Sequence, residues 1–312
     1  MKFDVVVFGS SFVDIYLNSL EFKLKKDWLC QTRGGKLRVD KMVITTGGGA
    51  SNVSVGLERL GLQTGCVTAV GRDHWGLFIR QELKKEGVSQ QYIQQTEEQT
   101  SMSIILVTEN GERTALVYRG ASNALSWQQV PWDKLEPEWF YVSSLGGDFS
   151  LLTKIIRRAK EKRIKIALNP GSNEINCPEK LLPFIKAVDL LILNLAEAGR
   201  LTRHETTKQE LIYQDLKKTG AGMMAITNGK KGAVLLAGRK KIIKTEAIKV
   251  KTKEETGAGD AFGCGLTAGL IKYTDLSKAL KLGAINGAAV TEKYGPKAGL
   301  LFEPEADNWL KK

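Results

Sequence analysis

Short apolar runs alternate with amphipathic stretches along most of this 312-residue chain. Apolar runs of strand length, bounded by turn residues, predict buried strands, and apolar residues that recur every three or four positions predict helices. The predicted strands cover residues 3–8, 64–70, 140–143, 164–168, 190–193 and 223–227. The predicted helices cover residues 51–60, 75–86, 151–162, 179–186 and 208–218. This alternation predicts an α/β fold in which helices cover both faces of a mostly parallel sheet.

Two segments interrupt the alternation. Residues 15–45 show no clear helical pattern, and residues 100–118 have the pattern of a β-hairpin that turns at Asn110-Gly111. We expect two inserts, approximately residues 15–45 and 98–120, to form a small β lid, because inserts after strand ends lie near the ligand in α/β folds. The alternative is two separate surface hairpins. Since no repeat or linker is visible, we expect residues 1–312 to form a single domain.

The segment at 255–265, with the sequence ETGAGDAFGCG, joins a glycine-rich turn to a predicted helix start. Backbone N–H groups of Gly257, Ala258 and Gly259 are placed to converge on a phosphate at the positive end of the helix. Asp260 lies within reach of that phosphate, and orienting an attacking hydroxyl group would explain an acid at this position. The alternative is an ordinary turn in which Asp260 caps the helix.

Composition and charge narrow the classes of function. The four cysteines are scattered and only two histidines occur, which argues against a disulfide framework, a zinc site and a histidine-based triad. The net charge of +12 comes mostly from lysines spread along predicted helices, so we expect no nucleic-acid partner, although a basic surface also attracts small polyanionic substrates. No apolar run approaches the length of a membrane span, and the first strand is too short for a signal peptide. We therefore expect a cytoplasmic protein without a membrane partner.

Three motifs, GGGASN at 47–52, GRDHWG at 71–76 and GAGD at 257–260, together resemble the ribokinase or PfkB carbohydrate kinase family. The resemblance extends from residue 9 to about residue 299. It implies a ribokinase-like three-layer fold and an enzyme that uses ATP and Mg²⁺ to phosphorylate a hydroxymethyl group of a sugar, a nucleoside or a related compound. It also implies that Asp260 is the catalytic base and that Gly257, Ala258 and Gly259 stabilise the transferring group.

The same resemblance assigns further residues to the ligands. The residues that would contact substrate hydroxyl groups are Asp14, Gly48, Gly49 and Asn52. Those that would contact the nucleotide are Asn194, Thr227, Gly229, Gly232 and Asn286. Glu197, in an NxxE element with Asn194, would hold Mg²⁺ through water. From the residues alone, Asn52 equally suits a helix cap, and Asn194 with Glu197 suits a capping box.

Two departures from the family pattern leave questions open. The sequence before GAGD is Glu254-Glu255-Thr256, whereas the family usually has an Asp followed by two Thr. Glu254 and Thr256 are therefore candidate ligands for a monovalent cation such as K⁺, but the potassium dependence stays open. The sequence NPG at 169–171 also replaces the Asp-x-Asn-x-Arg pattern of many sugar-specific members, so the identity of the acceptor stays open as well.

The sequence leaves three possible functions open. The first is a sugar kinase of ribokinase or fructokinase type, and the second is a nucleoside or phosphosugar kinase with basic residues at the lid for phosphate contacts. Those basic residues are Arg33, Lys36, Arg38, Arg113 and Arg119. The third is a pseudokinase that acts as a binding module, and a homodimer through the lid is a further expectation from some relatives. Dinucleotide-binding and P-loop proteins are disfavoured, because GxGxxG after the first strand and GxxxxGK[ST] are both absent.

Overall fold

A computed structural model describes residues 2–26, 28–110, 112–238 and 241–311 of the chain, in which strands and helices alternate. The strands are β1 (Val5–Phe8), β2 (Phe12–Asn18), β3 (Lys23–Lys25), β4 (Trp28–Cys30), β5 (Lys41–Gly47), β6 (Thr64–Gly71), β7 (Ile93–Thr96), β8 (Met102–Val107), β9 (Arg113–Tyr118), β10 (Trp139–Val142), β11 (Lys165–Leu168), β12 (Leu190–Asn194), β13 (Met223–Thr227), β14 (Ala233–Ala237) and β15 (Lys241–Thr245). The helices are α1 (Gly49–Arg59), α2 (His74–Lys85), α3 (Phe149–Lys162), α4 (Ser172–Ile175), α5 (Pro178–Ile185), α6 (Leu195–Thr202), α7 (Gln209–Lys218), α8 (Ala258–Lys272), α9 (Leu276–Val290) and α10 (Glu303–Leu310).

The central sheet has nine strands in the order β15-β14-β13-β12-β11-β10-β1-β6-β7. Neighbouring strands from β13 to β7 run parallel, whereas β14 and β15 are antiparallel and form one edge. The inner parallel strands are nearly continuous apolar runs because both of their faces are covered. The predicted, mostly parallel sheet is confirmed, while β7 and the antiparallel edge were not part of the prediction.

Alternating side chains of the strands enter two separate cores. In β1, Val5 and Val7 pack in the core that includes residues of α1, α8 and α9. Val6 and Phe8 point the other way, into the core that includes residues of α3, α5, α6 and α7. The sheet therefore lies between two layers of helices, and the expected three-layer α/β fold is confirmed.

Several helices begin at an aspartate whose side chain accepts a hydrogen bond from a first-turn N–H group. Asp73 caps α2, Asp148 caps α3 and Asp275 caps α9. Helix α8 differs because its N-cap is Gly257, which has no side chain to offer, so the start of this helix keeps unsatisfied donors. Across the described part of the chain, no helix is long and apolar enough to cross a membrane.

Four strands from the two inserts form a second sheet, the lid, in the order β5-β2-β8-β9. The β2–β5 and β8–β9 pairs are antiparallel, and parallel pairing of β2 with β8 joins them. The predicted small β sheet is confirmed, and the alternative of two separate hairpins is wrong. Strands β3 and β4 form a short hairpin of their own. The predicted turn at Asn110-Gly111 includes Gly111, which lies outside the described residues.

Candidate active site

The carboxyl ends of the parallel strands border a cleft of about 270 Å³. Ser143 follows β10, Asn169 follows β11, Asn194 ends β12 and Thr227 ends β13, and all four residues line the cleft. Asp260, in the first turn of α8, lines the same cleft. The parallel topology thus brings polar residues from distant parts of the sequence next to the GAGD segment.

The first turn of α8 has the geometry of an anion site. Gly257 adopts the left-handed conformation with a φ of 82°, and a Cβ there would lie 2.6 Å from Cβ of Pro296. A Cβ on Gly259 would meet no protein atom within 4 Å, so the space in front of it is open to a ligand. The N–H group of Ala258, by contrast, donates to the carbonyl oxygen of Glu255 at 3.2 Å. We therefore correct the predicted phosphate site. Of its three predicted N–H groups, those of Gly257 and Gly259 have no backbone partner among the described residues, whereas that of Ala258 has one.

Asp260 has a defined partner from helix α1. Asn52 Nδ2 donates a hydrogen bond of 2.8 Å to Asp260 Oδ2. Burial raises the pKa of Asp260 above its ordinary value, and the hydrogen bond from Asn52 opposes this rise. A carboxyl group with a raised pKa at a cleft suits proton acceptance from a hydroxyl group. The capping alternative for Asp260 is wrong, because Gly257 occupies the N-cap position of α8.

Asn52 lies within α1, whose N-cap is Gly48, so the capping alternative for Asn52 is also wrong. The side chain is almost fully buried, and its Oδ1 atom has no hydrogen-bond partner among the described residues. A buried polar atom without a partner costs free energy unless a ligand or water satisfies it. This favours the predicted contact between Asn52 and the substrate, which stays a prediction.

Close packing also explains the glycines before α1. Gly48 has a φ of 89°, and a Cβ there would lie 2.5 Å from the carbonyl oxygen of Ser10. A Cβ on Gly49 would lie 2.5 Å from Ser143 Oγ and 3.7 Å from Asp260 Oδ1. The loop therefore packs closely against the residues that follow β1 and β10. The predicted substrate contacts of Gly48 and Gly49 stay predictions.

Asp14 lies in lid strand β2 and is only 6% exposed. Burial raises its pKa to about 6, while a hydrogen bond with Ser103 and the positive charge of Lys297 lower it. The carboxylates of Glu254 and Asp260 raise it further, so both are within electrostatic range of Asp14. The lid thus brings a second carboxyl group to the neighbourhood of Asp260, as the predicted substrate contact of Asp14 requires.

Asn194 and Glu197 form the predicted capping box at the start of α6, and both line the cleft. Asn194 Oδ1 accepts from the Glu197 N–H group and Glu197 Oε2 accepts from the Asn194 N–H group, each at 2.8 Å. Burial raises the pKa of Glu197. Among the described residues, no cluster of three His, Cys, Asp or Glu side chains could hold a metal ion. A Mg²⁺ ion at Glu197 would therefore depend on water and phosphate oxygens, which suits this cation.

The turn after β13 contains the other predicted nucleotide contacts. Thr227 lines the cleft, and Gly229, with a φ of 49°, faces open space. Gly232 has a φ of 84°, and a Cβ there would overlap the carbonyl oxygen of Thr245 in β15. The turn between β13 and β14 therefore requires glycine at position 232 for packing, whether or not a nucleotide is bound.

The structure does not bring Asn286 to the cleft, which corrects its assignment to the nucleotide. The residue is fully buried in α9. Its Nδ2 donates to the carbonyl oxygen of Ala261 at 2.8 Å, and its Oδ1 accepts from the N–H group of Leu301 at 3.1 Å. Because these groups are engaged inside the protein, the side chain instead ties α9 to the helix that carries Asp260.

Glu254 and Thr256, the candidate ligands of a monovalent cation, both contact Arg113 of lid strand β9. Arg113 Nη1 donates to Glu254 Oε1 and, at 2.8 Å, to Thr256 Oγ1. Glu254 Oε1 also accepts from the N–H group of Thr256 at 2.7 Å. These residues do not fit a monovalent cation in the observed lid position, because a guanidinium group already binds both oxygens.

Glu174 lies behind the cleft residues Ser144 and Gly171, and the sequence patterns did not predict it. It is 3% exposed, and its carboxylate accepts hydrogen bonds from the N–H groups of Leu145, Gly147 and Gly171 at 2.8 to 2.9 Å. It thereby fixes two loops that follow β10 and β11. The available signal was an acid next to the apolar Ile175 just after the NPG segment, but this pattern does not distinguish a buried acid from an exposed one.

The fold and the cleft together are those of a phosphotransferase that acts on an alcohol group. The model of the pfkB family of carbohydrate kinases matches residues 2–301. The chain therefore belongs to the pfkB family of carbohydrate kinases, and both the predicted family and the predicted enzyme class, an ATP-dependent kinase, are confirmed.

Relatives with different acceptors resemble the chain to a similar degree. A 2-dehydro-3-deoxygluconokinase of Bacillus subtilis is 27% identical over 316 aligned positions, which cover 96% of this chain and 93% of the relative. A cytidine kinase of Thermococcus kodakarensis is 27% identical over 263 positions, covering 82% and 91%. The structure of Arabidopsis thaliana ribokinase complexed with ribose and ATP superimposes with a TM-score of 0.87 at 22% identity, covering 100% of both chains. The fold is thus shared with ribokinase.

Proposed function

We propose that this protein transfers the γ-phosphate of ATP to a hydroxymethyl group of a sugar, with Asp260 as the catalytic base. The observation that carries the proposal is the position of Asp260 in the first turn of α8. It lies beside the N–H groups of Gly257 and Gly259, which have no backbone hydrogen-bond partner among the described residues. Phosphoryl transfer to an alcohol needs stabilisation of negative charge and an oriented hydroxyl group, and this helix start supplies both.

In this mechanism Asp260 orients the acceptor hydroxyl group and accepts its proton. A weak base is adequate, because the loose transition state requires little proton abstraction before the bond to the leaving group breaks. Asn52 holds the carboxylate through its 2.8 Å hydrogen bond. The N–H groups of Gly257 and Gly259 stabilise charge on the phosphoryl oxygens. Asp14 binds further hydroxyl groups of the acceptor from the lid.

The strand-end residues opposite α8 are assigned to the nucleotide and the metal ion. We infer that Asn194, Thr227 and Gly229 contact ATP and that Glu197 binds Mg²⁺ through water. Bound Mg²⁺ would neutralise phosphate charge, and its site would share the cleft with Asp260. Gly232 supports the turn next to Thr227. A cytoplasmic location, with its supply of ATP and Mg²⁺, is part of the proposal.

An ADP-release assay with ATP and Mg²⁺ tests the proposal across pentoses, hexoses, keto-deoxy acids, sugar phosphates and nucleosides. We expect at least one sugar to raise ADP release above the background without acceptor. Asp260→Asn should retain ATP binding by calorimetry, while turnover falls about 10²- to 10⁴-fold. Near-wild-type turnover in this variant would contradict the base assignment. If every acceptor fails with the wild type, the pseudokinase alternative is favoured.

A nucleoside or phosphosugar acceptor is the second candidate. The cytidine kinase relative supports a nucleoside, and Arg119 supports an acidic acceptor. Nη1 of Arg119 lies 4.0 Å from the position of a Cβ on Gly146, in the loop after β10 that Glu174 fixes. Of the other basic candidates, Arg113 is engaged with Glu254, and the remaining three are exposed.

The variant Arg119→Met separates the two kinds of acceptor. If the acceptor is phosphorylated, KM for the sugar phosphate should rise about tenfold or more, because a hydrogen bond to a charged group is lost. KM for ATP should stay unchanged and serves as the internal control. An equal effect on charged and uncharged acceptors would argue against a phosphosugar.

We also propose that the lid mediates a homodimer. The strand register aligns Ile44, Ile15, Ile104 and Leu116 in one row across β5, β2, β8 and β9. Leu116 is 56% exposed, and Met42 in the next row is 61% exposed. An apolar sheet face of this kind suits packing against the same face of a second copy. Light scattering after gel filtration should show a dimer that Leu116→Glu converts to a monomer, and a monomeric wild type would refute this.

A further inference from the structure

We propose that Arg113 is a built-in cation for the segment 254–259, here called the anion-binding loop. The lid itself then supplies the positive charge that a monovalent metal ion would otherwise provide. The inference rests on the proposed phosphoryl transfer at α8. Arg113 is a positioning residue in this scheme, because it acts through Glu254 and Thr256 and is not assigned to the reacting atoms.

The contacts of Arg113 carry the proposal. A single nitrogen, Nη1, donates to both Glu254 Oε1 and Thr256 Oγ1. The other carboxylate oxygen of Glu254 accepts from the N–H group of Gly295 at 3.4 Å. Both oxygens of Glu254 are therefore used by donors, and the guanidinium group is the cation among those donors.

Burial explains why Glu254 needs a cation. Its side chain is only 9% exposed, whereas that of Arg113 is 40% exposed. A buried carboxylate without a compensating charge is costly, and a planar guanidinium group compensates it through directed hydrogen bonds. A second cation at the same oxygens would be repelled by the guanidinium group, so Arg113 and a monovalent metal ion exclude each other.

The partners of Arg113 lie next to the helix start at the cleft. Thr256 directly precedes Gly257, the left-handed N-cap of α8. By holding the side chains of Glu254 and Thr256, Arg113 fixes the backbone from which the anion-binding N–H groups project. The loop that Arg113 holds is the loop that would bind phosphate.

Because Arg113 belongs to the lid, the positive charge at the anion-binding loop depends on the position of the lid. Arg113 is the first residue of β9, and its register partner in β8 is Val107. On the same row lie Asn18 and Lys41, which with Arg113 border a cavity of about 610 Å³ between the lid and the segment 252–255. Tyr16, next to this row, is 5% exposed, lines the same cavity and interacts with Thr256 and Glu254. The lid therefore reaches the anion-binding loop through Arg113 and Tyr16.

The wild-type protein provides the first test. ADP release with a saturating acceptor is compared in K⁺ and in tetramethylammonium salts at equal ionic strength. We expect the two rates to agree within about twofold, since the guanidinium group already occupies the site. Activation by K⁺ of about tenfold or more, the size expected for loss of a charge-stabilising group, would overturn the proposal.

The variant Arg113→Met provides the second test. We expect kcat in tetramethylammonium to fall about tenfold or more and to be partly restored by K⁺ or by added guanidinium. Arg113→Lys, which keeps a positive charge, should retain more activity and respond less to K⁺. Arg157→Met removes a surface guanidinium group that pairs with Glu161 in α3, and it should behave like the wild type in both salts. Loss of activity in Arg113→Met without any response to K⁺ or guanidinium would overturn the proposal.

Thermal unfolding separates this inference from the proposed function, because it needs no turnover. K⁺, compared with tetramethylammonium, should raise the Tm of Arg113→Met and leave the Tm of the wild type unchanged, since binding to the native state stabilises it. An equal effect of K⁺ on both proteins would overturn the built-in cation. If no acceptor supports turnover but this difference in Tm is present, the proposed function fails while the cation site stands.

Discussion

Asn52 Nδ2 lies 2.8 Å from Asp260 Oδ2, so helix α1 holds the carboxylate in the first turn of helix α8. The hydrogen bond opposes the rise in the pKa of Asp260 that burial causes. It also selects one orientation of a side chain that would otherwise rotate at the helix start. The ionised state and the direction of the proposed base therefore depend on a residue that lies 208 positions earlier in the chain.

Asn52→Ala should raise the pKa of Asp260, because the variant loses the hydrogen bond that stabilises the ionised form. The acid limb of the kcat profile should move to higher pH, and kcat at neutral pH should fall about tenfold. Ser51→Ala is the matched control, because Ser51 is buried in the same helix and bonds Ser11 at 2.7 Å. An unchanged pH profile in Asn52→Ala would contradict the role given to this hydrogen bond.

Asp14 should produce a separate acid limb in kcat/KM. Its pKa is raised to about 6, so below that pH the carboxyl group is protonated and loses one acceptor for substrate hydroxyl groups. We expect kcat/KM to fall as pH decreases through about 6, and Asp14→Asn should remove this limb while KM at pH 8 rises. The acid limb left in the variant then belongs to Asp260. Profiles of wild type and variant that coincide in shape would rule Asp14 out as the titrating group.

Two glycine-to-alanine variants should separate stability from activity. Gly48→Ala forces a side chain into a left-handed conformation beside Ser10 and should lower the free energy of unfolding by about 1–3 kcal/mol. Gly259→Ala meets no protein atom and lies in a helix, so stability should be unchanged or rise by up to about 1 kcal/mol. Its methyl group enters the space proposed for phosphate, so kcat/KM should fall. Urea unfolding and ADP release measure the two effects, and a fully active Gly259→Ala would argue against a phosphate there.

Lys297 should make stability depend on pH in the alkaline range. Burial lowers its pKa to about 8, despite the nearby carboxylates of Glu82, Glu86 and Asp14. Between this value and the unfolded-state pKa of about 10.4 the native state releases a proton that the unfolded state keeps, so the free energy of unfolding rises with pH. Relative to Lys297→Met, the wild type should gain about 2 kcal/mol between pH 8 and pH 10.

Urea unfolding of both proteins at the two pH values measures the gain assigned to Lys297. Lys160→Met, on the exposed face of α3, controls for the loss of one positive charge. Parallel stability curves for the wild type and Lys297→Met would show that Lys297 keeps its proton in the native state.

The periodic apolar pattern was sufficient for the inner parallel strands of the fold, but not for β7 at the parallel edge. Strands that are buried on both faces, such as β1 and β12, leave long apolar runs in the sequence. Within the antiparallel edge, β15 was missed because its sequence, KIIKT, is mostly exposed and carries a lysine at each side of its apolar pair. Edge strands of this kind lack the continuous apolar signal of a buried strand.

The site was predictable where a motif specifies backbone geometry. It was less predictable where tertiary contacts determine the partner or the burial of a side chain. The glycine at 257 and the acid at 260 identify the start of α8 from the sequence alone. The pairing of Arg113 with Glu254 joins residues 141 positions apart, and no local sequence pattern predicts it. The burial of Asn286 between two helices is likewise a tertiary property, which is why its motif position misled the assignment.

The parallel pairing of β2 with β8 limits how the lid of this protein can be re-engineered. Each insert contributes one inner and one outer strand, so neither insert is a self-contained module. A chimaera that exchanges only residues 98–120 with a relative must also match the β2 edge along the register from Val13 to Asn18. Changes of acceptor specificity through the lid would therefore require coordinated substitutions in two separate stretches of the gene.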